Sequence, residues 1–178
     1  RDLQKWERRR GPLEMRSKPH LVRGAVLKCL FPFEEDPSSP GPSPHYCLFI
    51  ESLVFEAHTY IVVAYGTSKL DFAIQSKHPI LDVPTKLLNG ESIPSDHGVI
   101  HFLCDHVAVI PFTSDWVYMN FSARLGIFKK EYLTDPHRRT LLAKYEKAEP
   151  VMLRSSISET ARFMISKLPG ITPGFTLR

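Results

Sequence analysis

Four prolines lie within eleven residues, at positions 34–44, and this segment restricts the fold more than any other feature of the chain. Proline has no backbone N–H and cannot donate to the ladder of a central strand. Three serines and a glycine in the same segment favour turns. The segment therefore predicts a long, solvent-exposed loop between two apolar runs of strand length, residues 25–31 and 46–50.

Further runs rich in β-branched and aromatic residues predict more strands. Residues 59–65, which read TYIVVAY, form the clearest one, and residues 72–75 and 84–88 form shorter ones. Asn89 and Gly90 predict a tight turn. The pattern therefore indicates a fold that consists mainly of short strands.

Residues 99–110 alternate in a way that predicts a strand with one buried and one solvated face. The alternation puts His101, Leu103 and Asp105 on one face. It puts Phe102, Cys104 and His106 on the other face.

Two helices are predicted after the strands. Residues 135–149 carry Pro136 in the first turn and apolar residues at helical spacing, and residues 158–167 begin at a Ser158 N-cap and end before Pro169. Short strands followed by helices are typical of an α+β or all-β barrel and not of a parallel α/β sheet. The predicted fold class is mainly β (α+β).

The 178 residues are enough for one domain with appendages. We expect a basic N-terminal arm over residues 1–22, a barrel domain with a helix over 23–150 and a C-terminal extension over 151–178. Residues 1–28 hold nine Lys/Arg against three Asp/Glu, so the net charge of +4 comes from the N-terminus. Such a basic end attracts phosphates or an acidic partner, or is simply a solvated face.

The three cysteines, Cys29, Cys47 and Cys104, are isolated from one another and lie in apolar stretches. This pattern is typical of buried cysteines in a reducing compartment. No apolar run approaches the roughly 20 residues that span a bilayer, and no secretory signal is evident. We expect a soluble, cytoplasmic protein that does not bind membranes.

The order of these elements resembles the PemK/MazF family, the toxins of type II toxin–antitoxin systems. Residues 23–50, RGAVLKCLFPFEEDPSSPGPSPHYCLFI, and residues 60–68, YIVVAYGTS, are similar to the opening of those proteins. Residues 83–86 and 99–116 resemble later blocks, so the similarity covers roughly residues 23–117. It implies a small SH3-like barrel, a homodimer, and a growth-inhibiting, metal-independent endoribonuclease without a cofactor, which a cognate antitoxin silences.

The resemblance also implies a catalytic pair. The family's arginine after the first loop falls on His45, and its threonine at the end of the third strand falls on Thr67. Histidine lacks the permanent charge and the donor fork of arginine, which weakens phosphate clamping. With an unperturbed pKa of about 6.5, histidine is nevertheless a common general acid or base and is able to deprotonate a ribose 2′-OH.

Four further residues complete the predicted site. Ser68 joins Thr67 as a donor towards a phosphate oxygen. Tyr46 offers an aromatic face for an unpaired base, Lys69 adds positive charge, and Arg23 is a second candidate for binding the substrate's charge. Gly-Thr-Ser is also an ordinary strand end, and a single lysine is often only solubilising.

A metal site is not expected, although histidines cluster with acids and a cysteine near residue 100. The predicted alternation places His97 and His101 on one strand face and Cys104 and His106 on the opposite face, where they cannot share a metal.

The resemblance and the predicted site are compatible with two alternative functions. The first is an endoribonuclease toxin that cleaves single-stranded RNA by 2′-OH attack. The alternative is a catalytically degenerate barrel that binds RNA or a protein partner without cleavage.

Overall fold

The computed structural model describes residues 19–75, 77–90 and 98–167. Most of the predicted N-terminal arm, His97 and residues 168–178 lie outside this part of the chain. Within it, seven β-strands and two α-helices form. The strands are β1 (Ala25–Cys29), β2 (His45–Phe55), β3 (His58–Thr67), β4 (Ile80–Pro84), β5 (Leu88–Gly90), β6 (Val99–Pro111) and β7 (Ala123–Leu125); the helices are α1 (Leu70–Gln75) and α2 (Pro136–Lys167).

All seven strands belong to one sheet in the order β4-β6-β3-β2-β1-β7-β5, and every neighbouring pair is antiparallel. Helix α2 follows the last strand. The prediction of an α+β fold with an antiparallel sheet and a C-terminal helix is therefore confirmed. Residues 34–44 contribute no strand to this sheet, in agreement with their prolines.

The two edge strands of this sheet are consecutive in the chain. Only the 3₁₀ turn Thr85–Leu87 separates β4 at one edge from β5 at the other. Because three residues cannot span a flat sheet of seven strands, the sheet curls so that its edges approach each other. No ladder joins β4 to β5 in the described part of the chain, and the sheet is open.

Apolar side chains cover both faces of the sheet. On one face, Leu141, Tyr145 and Met152 of α2 pack into a core with residues from all seven strands. On the other face, a second core includes Trp116 and Val117 from the segment after β6. Cys29, Cys47 and Cys104 are all buried and form no disulfide. In the described residues, no helix has the length and apolar character needed to cross a membrane.

Four of the predicted features are wrong. Residues 84–88 do not form one strand, because Thr85–Leu87 is a 3₁₀ turn between β4 and β5. Residues 72–75 lie in helix α1 instead of a strand, and Asn89 and Gly90 lie in β5 instead of a turn. The two predicted C-terminal helices are one helix of 32 residues that continues through Pro150. The helix therefore crosses residue 150, where the domain was expected to end.

The expectation that one face of residues 99–110 is solvated is also wrong. Five consecutive residues of β6, from Ile100 to Cys104, are buried. The ladder pairs Gly66 with Phe102 and Ala64 with Val107, so four residues of β6 lie opposite Tyr65 alone. This β-bulge shifts the alternation by one residue, because Phe102, Cys104 and Val107 all belong to the same core.

Candidate active site

A tight hairpin between β2 and β3 sets the geometry of the site. Glu56 and Ala57 adopt positive φ angles of 49° and 63°, and the flanking pair is Phe55 with His58. Such a two-residue turn fixes the register of the strands that it joins. A bulge between Phe49 and Glu51 shifts this register by one residue, and the ladder ends at the pair of Cys47 with Tyr65. His45 at the start of β2 and Thr67 at the end of β3 therefore lie at the same, open end of the hairpin.

His45 and Thr67 line one cavity of about 500 Å³ at this open end of the hairpin. Tyr46, Ser68 and Lys69 line it as well, so five of the six predicted site residues meet there. The sequence prediction did not include Lys28, which adds a second cation to the lining. The cavity therefore combines an imidazole, hydroxyl donors and positive charge, a set of groups that suits a phosphate.

The ring of His45 is half-buried, and this environment favours its neutral form. Burial lowers the pKa of His45 below its ordinary 6.5, a hydrogen bond with the Gly66 backbone opposes the change, and the charge of Lys69 lowers the pKa further. Ser43 Oγ lies 3.5 Å from Nε2 of the ring. A neutral imidazole is suited to accept a proton.

Thr67 is 92% buried, and its hydroxyl is oriented by the backbone. The Lys69 backbone N–H donates to Thr67 Oγ1 at 3.1 Å. This arrangement is a side-chain turn of the kind that threonine commonly forms at strand ends. Because the Thr67 oxygen accepts this bond, its own O–H is a donor for a ligand.

Gly66 permits the strands to approach closely beside the site. A Cβ at this position would lie 2.1 Å from the Tyr46 carbonyl oxygen and 2.9 Å from Cε1 of Phe102. No side chain fits there, which explains a glycine inside β3.

Aromatic side chains form part of the cavity wall. Tyr46 lines the cavity, and its ring packs against Phe121 with centroids 5.5 Å apart. Tyr65, whose ring lies 4.7 Å from that of His45, and Phe72 also line it, although the sequence prediction included neither. Phe72 was assigned to a strand, and Tyr65 was treated only as the end of an apolar run.

Arg23 lies elsewhere and has a different set of contacts. Its guanidinium donates to both carboxylate oxygens of Glu149 in α2 at 2.6 and 2.7 Å. It also stacks on the ring of Phe128 at 4.7 Å. The Arg23 hydrogen bonds lower the pKa of Glu149. These contacts attach the start of β1 to the C-terminal helix.

Two more histidines lie on the other side of Tyr65. The His106 and Tyr65 ring centroids are 5.4 Å apart, and the same distance separates His106 from His78. His78 Nδ1 is hydrogen-bonded to Asp105. The bulge in β6 places His106 and Leu103 in one cavity lining, so the strict alternation assumed for this segment does not hold. No three His, Cys, Asp or Glu side chains in residues 19–75, 77–90 and 98–167 are arranged to hold a metal ion.

No family model, curated protein or solved structure matches this chain. Membership of the PemK/MazF family therefore stays a prediction that rests on the motifs quoted above.

Proposed function

We propose that this chain is an endoribonuclease of the toxin type, which cleaves single-stranded RNA without a metal ion at the cavity between His45 and Thr67. The observation that supports this most is the shared lining: His45 and Thr67 come from different strands and face one cavity together with Lys69. A protein partner in the role of an antitoxin belongs to the same proposal.

In the proposed reaction, His45 accepts the proton of a ribose 2′-OH while the 2′-oxygen attacks the adjacent phosphorus. A new P–O2′ bond forms and the P–O5′ bond breaks, and the 5′-oxygen takes a proton from water at the open mouth of the cavity. Thr67 and Lys69 face the phosphate, where negative charge grows in the transition state. The products are a 2′,3′-cyclic phosphate and a 5′-hydroxyl.

We further propose that the curled sheet is an SH3-like barrel and that the protein is a cytoplasmic homodimer. The short link between the two edge strands supports a barrel, since Thr85–Leu87 holds their ends together. The free, buried cysteines are consistent with a reducing compartment.

The test compares an RNA strand with a DNA strand of the same sequence, both end-labelled, in a buffer that contains EDTA. We expect the protein to cut the RNA and to leave the DNA intact, because DNA lacks the attacking 2′-OH. Thr67→Val preserves the shape of the side chain and removes its donor, and we expect it to slow cleavage about 10²- to 10³-fold. Cleavage of both strands, or of neither, would contradict the proposed reaction.

One observation favours the alternative of binding without cleavage. Histidine stands where the family has arginine, and no arginine of the described chain lines the cavity. If the wild type binds RNA without cutting it and His45→Arg cuts, the chain is a degenerate relative. If neither form binds RNA, the ribonuclease and RNA-binding proposals both fail.

A further inference from the structure

A second cavity of about 490 Å³ lies next to the first one. His45, Tyr65 and Phe72 line both cavities, so these three side chains form a wall with a cavity on each side. A ligand in the first cavity is able to extend past this wall into the second.

The two cavities differ in charge. Lys28 and Lys69 line the first, whereas Glu34 and Glu35 line the second, and no lysine or arginine of the described chain lines the second. A phosphate is attracted to the first cavity and repelled from the second. The part of a nucleotide that fits the second cavity is therefore uncharged.

Aromatic rings form the walls of the second cavity. Phe31 and Tyr65 make an edge contact with centroids 5.1 Å apart, and Phe72 lies 6.2 Å from Tyr65. The Phe31 ring also lies 5.2 Å from that of His106. Flat apolar walls of this kind stack unpaired bases, which is how proteins commonly hold single-stranded RNA.

The polar groups of the cavity offer carboxylate acceptors and imidazoles. Glu34 Oε1 lies 3.7 Å from His106 Nδ1, and the Glu34 side chain is 82% exposed, so its carboxylate is able to turn towards a ligand. Asp105 is hydrogen-bonded to Nδ1 of His78. Carboxylates accept hydrogen bonds and do not donate them, so they select a base with donors on its edge.

On the premise that the first cavity binds an RNA phosphate, we propose that the second cavity binds the adjoining base and selects guanine, with Glu34 as the acceptor. Guanine presents two adjacent donors, N1–H and N2–H₂, to one carboxylate. Adenine and cytosine present a single amino group, and uracil presents a single ring N–H. A bidentate contact of this type discriminates between bases by about tenfold or more.

The test measures binding of fluorescent 2′-O-methyl hexamers, whose blocked 2′-oxygen prevents cleavage. One hexamer contains only uracil, one carries a single central guanine, and one carries hypoxanthine, which lacks the 2-amino group. We expect the guanine hexamer to bind at least about tenfold more tightly than the uracil hexamer, with hypoxanthine between them. Glu34→Gln should abolish this preference. Glu56→Gln, at the opposite end of the hairpin, should leave it unchanged.

Lys69→Ala separates this inference from the proposed function. Loss of a phosphate contact should weaken all three hexamers by a similar factor and preserve their ratios. Binding that depends on Lys69 but shows no preference for guanine would overturn the inference and leave RNA binding intact. A preference that survives Glu34→Gln would also overturn it. If none of the hexamers binds, both the inference and the proposed function fail.

Discussion

His45 is the residue on which the proposed chemistry depends most, and its protonation is coupled to Lys69. Burial lowers the pKa of His45 below 6.5, and the charge of Lys69 contributes to this change. Only the neutral ring accepts a proton. Cleavage should therefore be constant at neutral pH and fall as the pH decreases through the lowered pKa.

Lys69→Met tests this coupling. Removing the cation should raise the pKa of His45, so the acid limb of the rate profile should move to higher pH. Single-turnover rates with excess protein separate this effect from weaker binding. Lys144→Met, on the exposed face of α2, serves as the control. An unchanged inflection in Lys69→Met, or one at lower pH, would contradict the assignment of His45 as the base.

Burial also lowers the pKa of His106, and repulsion from His78 adds to this, while Glu34 and Asp105 oppose it. Because the unfolded chain then binds the proton more tightly, His106 should not reduce the free energy of unfolding above about pH 6.5. As the pH falls from there to the folded-state pKa of His106, the free energy of unfolding should decrease. Thermal unfolding between pH 7.5 and 5.5 measures this decrease. His106→Gln should make it smaller, whereas the exposed His58→Gln should not.

At the scale of elements, helix α2 is the least expected feature. Pro150 removes one helical hydrogen bond and its ring clashes with the preceding turn, at a cost of about 3 kcal/mol. Contacts beyond the proline compensate for this cost. Met152 is buried in the core, and the buried Ser156 donates a hydrogen bond to Glu51 of β2. Tertiary packing thus keeps the helix continuous.

Neighbouring residues of α2 test this packing. Met152 is 1% exposed and Leu153 is 41% exposed, so they differ mainly in burial. Met152→Ala should lower the free energy of unfolding by about 2 to 5 kcal/mol, and Leu153→Ala by less than about 1 kcal/mol. Urea denaturation measures both values. Equal losses would show that the helix beyond Pro150 does not dock as described.

The sequence predicted the strands whose patterns are strong. β1, β2, β3 and β6 all lie where apolar and β-branched runs occur, because such side chains pack well in a sheet. Helix α1 was missed for a physical reason. Leu70, Phe72 and Ile74 alternate as in a strand, but all three are exposed and only Ala73 is buried. Six residues are too few to separate a period of two from one of 3.6.

The site was predicted in part. Position in the resemblance selected His45 and Thr67, and their neighbours Tyr46, Ser68 and Lys69 were added for the ring, hydroxyl and charge that they offer. All five line one cavity. Lys28 and Tyr65 were missed because only the sheet register brings them to the same end of the fold. His106 was assigned to the wrong face because a β-bulge has no reliable signature in a single sequence.

At the scale of the whole molecule, we expect two copies to associate. The resemblance implies a homodimer, and the exposed apolar side chains of α1 provide a surface of the kind that often forms interfaces. Light scattering at micromolar concentration should give about twice the 20.3 kDa of one chain. A value for a single chain would exclude an RNA groove that is shared between two subunits.

The most direct test of the proposed function is the single-turnover rate at which the protein cleaves labelled single-stranded RNA in EDTA. The wild type should cut and leave a 2′,3′-cyclic phosphate. His45→Ala should be slower by about 10²- to 10⁴-fold, as expected for the loss of a general base. His58→Ala, at the other end of β3, should cut at the wild-type rate. A wild type that does not cut, or a His45→Ala variant that cuts equally fast, would contradict the role proposed for His45.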